Sequence, residues 1–386
     1  MRAKKIFLYA LVMSLTLTGC SGSTIYSNYR EIENLEVIRT LAMDGSEKGV
    51  TVTVGSGIGL DKSQAHIYER DAETLAVALD DMQNMAIGKE TIFSHTEYIL
   101  LGEDVAKSGI YDCIDYVIRA SEMRIKTGFL IANGVKAGDV LKNASSEGES
   151  ATDMLSYLEK NLEKLGVGSV FTCDEIATSL AKNKCAFVMS VTLEDSANLS
   201  EDGSEKMIVP AGFAVIKDGK LVDYFSEDAS IGACYIMDRI QSEDVCITLA
   251  GGDVVTLSVK SEKTDITPEF ENGSLKGINI SLMLDANVEE AETEVQVTDK
   301  RVRKEMAELL ADIKVKELRE AIDQSQRLDA DVLDLGSRIQ MKAPLKFAEM
   351  PEKWEDIYSS IPIDISVSAK IERTYDMDNT IWIGEG

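Results

Sequence analysis

The first twenty residues separate a removable leader from everything in this chain that can fold. A basic start (Met1, Arg2, Ala3, Lys4, Lys5) precedes thirteen uncharged, mostly apolar residues from Ile6 to Thr18, and Gly19-Cys20 closes the segment. A basic n-region, a short apolar core and a small residue before the cut form a secretory signal peptide. Thirteen helical residues rising about 1.5 Å each reach roughly 20 Å, short of a ~30 Å hydrocarbon core. The segment is a poor membrane span. The mature, exported chain is therefore expected to begin after residue 19.

Cysteine directly after Leu17-Thr18-Gly19 resembles the bacterial lipobox, whose thiol takes a diacylglyceryl group before cleavage leaves the cysteine as the new N-terminus. Cys20 is thus the expected lipid-attachment residue, and two or three acyl chains hold a protein on a membrane where one does not. The competing reading is an ordinary signal peptide with a coincidental cysteine. Removing residues 1–19 takes away three cations and no acid, so the formal charge of -27 becomes -30 on 367 residues. Such a field repels nucleic acid and anionic headgroups. Membrane contact is expected through the Cys20 lipid, since no polybasic run follows it.

Five cysteines remain, Cys113, Cys173, Cys185, Cys234 and Cys246, and an odd number cannot pair completely. There is no C-x-x-C, and the twelve-residue spacings of Cys173/Cys185 and Cys234/Cys246 fit no zinc signature. Cys185, Cys234 and Cys246 lie in apolar runs, where cysteine acts as a small hydrophobe. Free, buried thiols are expected, ahead of one or two disulfides or a metal site.

Ser21-Gly22-Ser23-Thr24 opens a polar tether, residues 20–28, able to reach roughly 15–18 Å as a coil. Residues 29–195 read as an N-terminal α+β domain. Its strands are expected at 36–43, 50–54, 93–101, 126–132 and 185–193, and its helices at 71–86, 110–118, 135–141, 154–165 and 174–182. The polar stretch 195–206 is the expected boundary. A small middle domain, 205–250, begins with a hairpin across Lys217-Asp218-Gly219-Lys220 and adds a helix.

The C-terminal domain, 251–386, has strands at 253–263 and 275–288 across Glu271-Asn272-Gly273-Ser274, then a long helix from Thr298 to about Leu328. Val302, Met306, Leu309 and Ile313 form one apolar stripe, while Val315, Leu318 and Ile322 fall on roughly the opposite side. The helix is therefore either sandwiched or broken near Lys314. A helix at 331–341, another near 351–358 and a strand at 361–371, with one face buried and one wet, complete an α+β chain with largely antiparallel sheets.

No catalytic motif emerges. Gly55-Ser56-Gly57-Ile58-Gly59 lacks nucleotide-binding spacing and reads as a turn, and no G-x-S-x-G, Walker A or H-E-x-x-H occurs. His66 and His95 are the only histidines, and His95, in a strand-like run, reads as structural. Asp329, Asp331 and Asp334 cluster without EF-hand spacing, and Asp331 reads as a helix cap. Glu289, Glu290, Glu292 and Glu294 read as a solvated acidic run. No catalytic residue, cofactor site or metal site is expected.

Three stretches resemble the Ger(x)C family, the lipoprotein C-subunits of bacterial spore germinant receptors. They are Tyr29–Leu35 running into Leu41-Ala42-Met43-Asp44, then Ser94-His95 with Tyr98–Ile110 and Ile118-Arg119, and finally Asp331–Ser337 with Trp354 and the strand Pro362–Ile371. Gly212–Ile216 with Lys220-Leu221-Val222 is similar to the family's central hairpin. One departure is Ser21-Gly22 where many members carry Trp-Asp after the lipidated cysteine.

The resemblance implies three mixed α/β domains on the outer face of the membrane that becomes the spore inner membrane. It implies two integral-membrane partners, a multi-spanning A-type and a transporter-like B-type subunit, and a part in nutrient-triggered germination. It transfers no ligand residues, and His95 and Trp354 are expected to pack. The alternative is a solute-binding lipoprotein of a membrane transporter, which shares leader, size and acidity.

Overall fold

A computed structural model describes residues 35–56, 66–85, 89–144, 150–195, 206–292, 295–350 and 353–372. The leader, Cys20, the whole tether 20–28, residues 29–34 of the first family-like stretch and the Gly57–Gly59 half of the glycine turn lie outside the described residues.

The first sheet begins with β1 (Leu35–Ser46), β2 (Gly49–Ser56) and β3 (Ile67–Ala72), paired antiparallel. Helix α1 (Leu75–Met85) leads to the short β4 (Glu90–Ile92) and to β5 (Tyr98–Gly102), both parallel to β1. Helices α2 (Glu103–Ser108) and α3 (Tyr111–Arg119) cross to β6 (Gly128–Ala132), and α4 (Ala137–Ala144), α5 (Ala151–Leu165), β7 (Phe171–Thr172) and α6 (Cys173–Asn183) cross to β8 (Cys185–Asp195). β5, β6 and β8 are mutually parallel. Every residue of β5 and β6 is buried, as strands covered on both faces by crossover helices must be.

The class is the expected α+β mixture, and its sheets are mixed in direction. A parallel centre is flanked by antiparallel strands in the order β10-β9-β8-β6-β5-β1-β2-β3, with β9 (Lys206–Lys217) and β10 (Lys220–Tyr224) extending it beyond β8. Residues 205–250, expected as a middle unit, are divided. Their hairpin continues the first sheet because Cys185–Asp195 pairs with Lys206–Lys217 across the polar stretch, whereas β11 (Glu243–Thr248) belongs to the second sheet. Asp218 (φ 49°) and Gly219 (φ 77°) make the expected tight turn, with both central residues left-handed.

The second sheet runs β11-β12-β13-β14. β12 (Val254–Glu271) and β13 (Ser274–Ala291) are long arms joined at Asn272 (φ 51°) and Gly273 (φ 83°). β14 (Ile363–Ile371) lies parallel to β13, and that direction requires a crossover. The crossover is α8 (Lys300–Arg327), followed by α9 (Leu335–Lys342), α10 (Pro344–Ala348) and α11 (Trp354–Ile357).

Helix α8 is sandwiched, not broken, and packs on β14 and on α7 (Glu227–Ile236). From Ala229 onward every residue of α7 is buried, as its apolar composition demands. The two helices meet closely: a Cβ on Gly232 would lie 2.1 Å from the Glu317 carbonyl oxygen.

Candidate functional site

The motif Asp331–Ser337 with Trp354 builds one wall of a cleft of about 990 Å³ between the two sheets. The opposite wall is the end of α6 with its left-handed cap Lys184, and Asp218 at the β9–β10 turn. Asp331 organises the first wall. Its Oδ1 accepts from the Leu335 N–H (2.8 Å), and its Oδ2 accepts from the Gly336 N–H (2.7 Å) and from Trp354 Nε1 (2.9 Å). It caps α9 as expected, from one turn before the helix, while left-handed Asp334 (φ 56°) holds the N-cap position. Burial pushes the Asp331 carboxyl up to about 6 against those three donors.

Gly336 is required by the same contact, since a Cβ there would sit 2.5 Å from Trp354 Nε1. Behind the wall, Tyr358 is buried against Ser325, whose hydroxyl also donates to the Ala330 carbonyl (2.6 Å). Trp354 packs between Phe347 and Tyr358, as expected of a packing residue. The two walls are joined by Asn183 Nδ2 donating to Asp334 Oδ1 (2.8 Å), by Lys184 beside Glu355 (3.4 Å), and by Lys217 Nζ donating to the Leu328 carbonyl (3.0 Å). The motif is thus the joint between the sheets, and its carboxylate is spent on backbone and indole N–H groups.

Other expected residues stay apart from this cleft. His95, expected to pack in a strand, is instead exposed in the turn before β5, with Nδ1 3.1 Å from Arg124 Nη2, because the strand begins only at Tyr98. His66 is exposed beside Glu36 (3.1 Å). All five described cysteines are free thiols. Cys113, Cys173, Cys185 and Cys234 are buried, and burial pushes Cys113, Cys173 and Cys234 up to about 12. Cys246 is exposed, because the alternation of β11 puts Asp244, Cys246 and Thr248 on the wet face. Among the described residues, no group of three His, Cys, Asp or Glu side chains is placed to hold a metal ion.

A second polar cluster escaped the sequence reading. Lys314, fully buried, donates to Glu243 Oε2 (2.6 Å) and Glu317 Oε2 (2.7 Å), and Tyr235 donates to the same Glu243 oxygen (2.8 Å). Burial drives Glu317 up to about 7 despite Lys314. The signal was Lys314 itself, a charge lying between the two apolar stripes of a helix expected to be either sandwiched or broken there.

Comparison with known proteins fits this architecture. Residues 28–193 match the family model described as the spore germination protein N-terminal domain, and 211–375 match the one described as spore germination B3/GerAC-like, C-terminal. Spore germination protein KC of Bacillus subtilis (strain 168) is 24% identical over 398 residues, covering 96% of each chain. Spore germination protein B3 of the same organism is 22% identical over 385 residues, covering 96% of this chain and 98% of that one. The crystal structure of the GerBC protein superposes with a TM-score of 0.52 at 18% identity, covering 86% of this chain and 96% of that chain. Two adjoining family models across nearly the whole folded length, and relatives matched end to end, place this chain in the GerAC-like family of spore germination proteins.

Proposed function

We propose that the protein is the lipid-anchored C-subunit of a germinant receptor, acting as a non-catalytic scaffold for nutrient-triggered germination. The carrying observation is the match of both family models along a chain in which Leu17-Thr18-Gly19 closes a leader-like segment directly before Cys20. The diacylglyceryl and N-acyl groups on Cys20 hold the folded part on the outer face of the membrane that becomes the spore inner membrane. No described helix is long and apolar enough to cross that membrane. Confinement to the membrane plane raises the effective concentration of the subunit near its A-type and B-type integral-membrane partners. The Asp331–Trp354 joint keeps the two sheets in one orientation for that contact.

Cys20→Ala tests the anchor: it abolishes labelling by a fatty-acid analogue and impairs nutrient germination. Normal labelling of that variant would sink the lipoprotein reading. Mild-detergent extracts of spore membranes are expected to yield both integral-membrane subunits with this chain, and their repeated absence would count against the receptor reading.

A further inference from the structure

The two most exposed large apolar side chains among the described residues are Met341 (74%) and Leu345 (77%), and they lie four residues apart. They sit on the corner between α9 and α10, where Ala343 leaves helical geometry and Pro344 opens the next turn. Cations surround them. Residues 338–353 hold Arg338, Lys342, Lys346 and Lys353 against Glu349 and Glu352, on a chain with 67 acids and 40 bases. Lys342 is tied to Asp265 (2.5 Å) and Lys346 lies over the Phe270 ring (5.4 Å), so the corner is braced against β12.

We propose that this corner docks on the bilayer surface, with Met341 and Leu345 entering the headgroup–acyl boundary and the lysines reaching the phosphates. Apolar side chains projecting from a basic rim are the chemistry of an interfacial element, and long lysine stems keep their ammonium groups at headgroup level. Charge decides the occupant. A bilayer offers phosphates at the depth the lysine ammonium groups reach beside two inserted apolar side chains, and within a Debye length of about 8 Å the basic rim of this corner, not the net charge of the chain, sets the attraction. Two side chains bind weakly alone, so the docking rests on the Cys20 anchor to keep the chain at the membrane, where it sets orientation.

The test uses the full lipidated chain on vesicles of phosphatidylcholine and phosphatidylglycerol, in a Cys246→Ser background that removes the exposed thiol. Bimane is attached at Leu345→Cys and, as a control, at Tyr157→Cys on α5. Doxyl-labelled lipid is expected to quench the 345 probe at least about threefold more strongly than the 157 probe. Met341→Asp returns the 345 probe to the control level while the protein still floats with vesicles. Lys342→Glu with Lys346→Glu weakens quenching on anionic vesicles. Equal quenching at both sites overturns the proposal, and so does a blue shift at 345 without lipid quenching, which would report a protein partner or a second copy. A Cys20→Ala chain held on chelating lipid by a carboxy-terminal histidine tag separates the two readings. Quenching there, with no acyl labelling of the unmodified chain, would keep the docking and sink the anchor.

Discussion

The centre of the first sheet and the joint that carries the second sheet are buried to a similar degree but built from different chemistry. Around β5 and β6, Ile99, Leu100, Leu101, Phe129, Leu130 and Ile131 pack with almost no exposed surface. Between α7, β11 and α8, a lysine and two glutamates occupy comparable burial (0%, 8% and 7%), with Tyr235 donating into the cluster. Apolar packing is non-directional and tolerates small shifts. A buried ion cluster gives little net stability, yet leaves a severe penalty if one partner is missing or displaced. The first sheet is accordingly the stable platform, and the charged joint fixes how α8, and with it β14, sits against α7 and β11.

The sharpest break of this comparison is Lys314→Met. It leaves Glu243 and Glu317 buried without their cation, and a broken buried pair costs about 3–5 kcal/mol. Adding Glu243→Gln and Glu317→Leu removes the stranded charges and is expected to recover most of the loss in chemical denaturation. If the single variant were as stable as the parent, the joint would not depend on its charges.

Leu100→Ala probes the platform. Truncation of a fully buried leucine costs about 2–5 kcal/mol, through lost burial plus a cavity. The loss should be nearly independent of pH, because no titratable group is removed. A cost that varied with pH as strongly as that of Lys314→Met would erase the distinction between the two regions.

Asp331→Asn comes next. It turns one acceptor oxygen into a donor facing the Leu335 or Gly336 N–H and costs about 1–3 kcal/mol. Trp354 fluorescence should shift with it, since Asp331 accepts from the indole N–H. An unchanged emission maximum would show that the Asp331–Trp354 contact does not form in solution.

The same comparison marks what could be read in the chain beforehand. Turns and helices were legible where the cause is local. Asp218-Gly219 and Asn272-Gly273 supply left-handed pairs, Gly166 caps α5 at φ 69°, and the apolar stripes of α5 and α8 recur at helical spacing. Sheet membership was not, because it is set by distant partners. Cys185 pairs with Lys217 and Ile278 with Ile363, and neither is signalled by its neighbours. The cleft motif was legible as a motif, and Asp331 as a cap, but its role as a joint depends on Asn183, 151 residues away from Asp334. Lys314 was legible as the point where the helix is either sandwiched or broken, but its partner was not, because Glu243 lies 71 residues away in sequence.

The smallest effect is in pH dependence, a few degrees of Tm. Burial raises Glu317 to about 7 and Asp331 to about 6, above their ordinary values near 4.5 and 3.8. A carboxyl with a raised folded-state pKa binds its proton more tightly when folded. Its contribution is therefore fully present below the unfolded pKa and is lost as pH rises through the folded value. The surface carboxylates lowered by cations, Asp265 beside Lys342 and Glu69 beside Lys142, act in the opposite sense, stabilising above their unfolded values and fading in acid. The joint is isolated by difference. Relative to Glu317→Gln, the parent should lose stability as pH is raised from about 5.5 to 8, whereas Leu100→Ala should track the parent across that window. A parent that gained stability over the variant on going alkaline would mean that Glu317 is held ionised by Lys314, and that the ammonium attraction outweighs burial at this site.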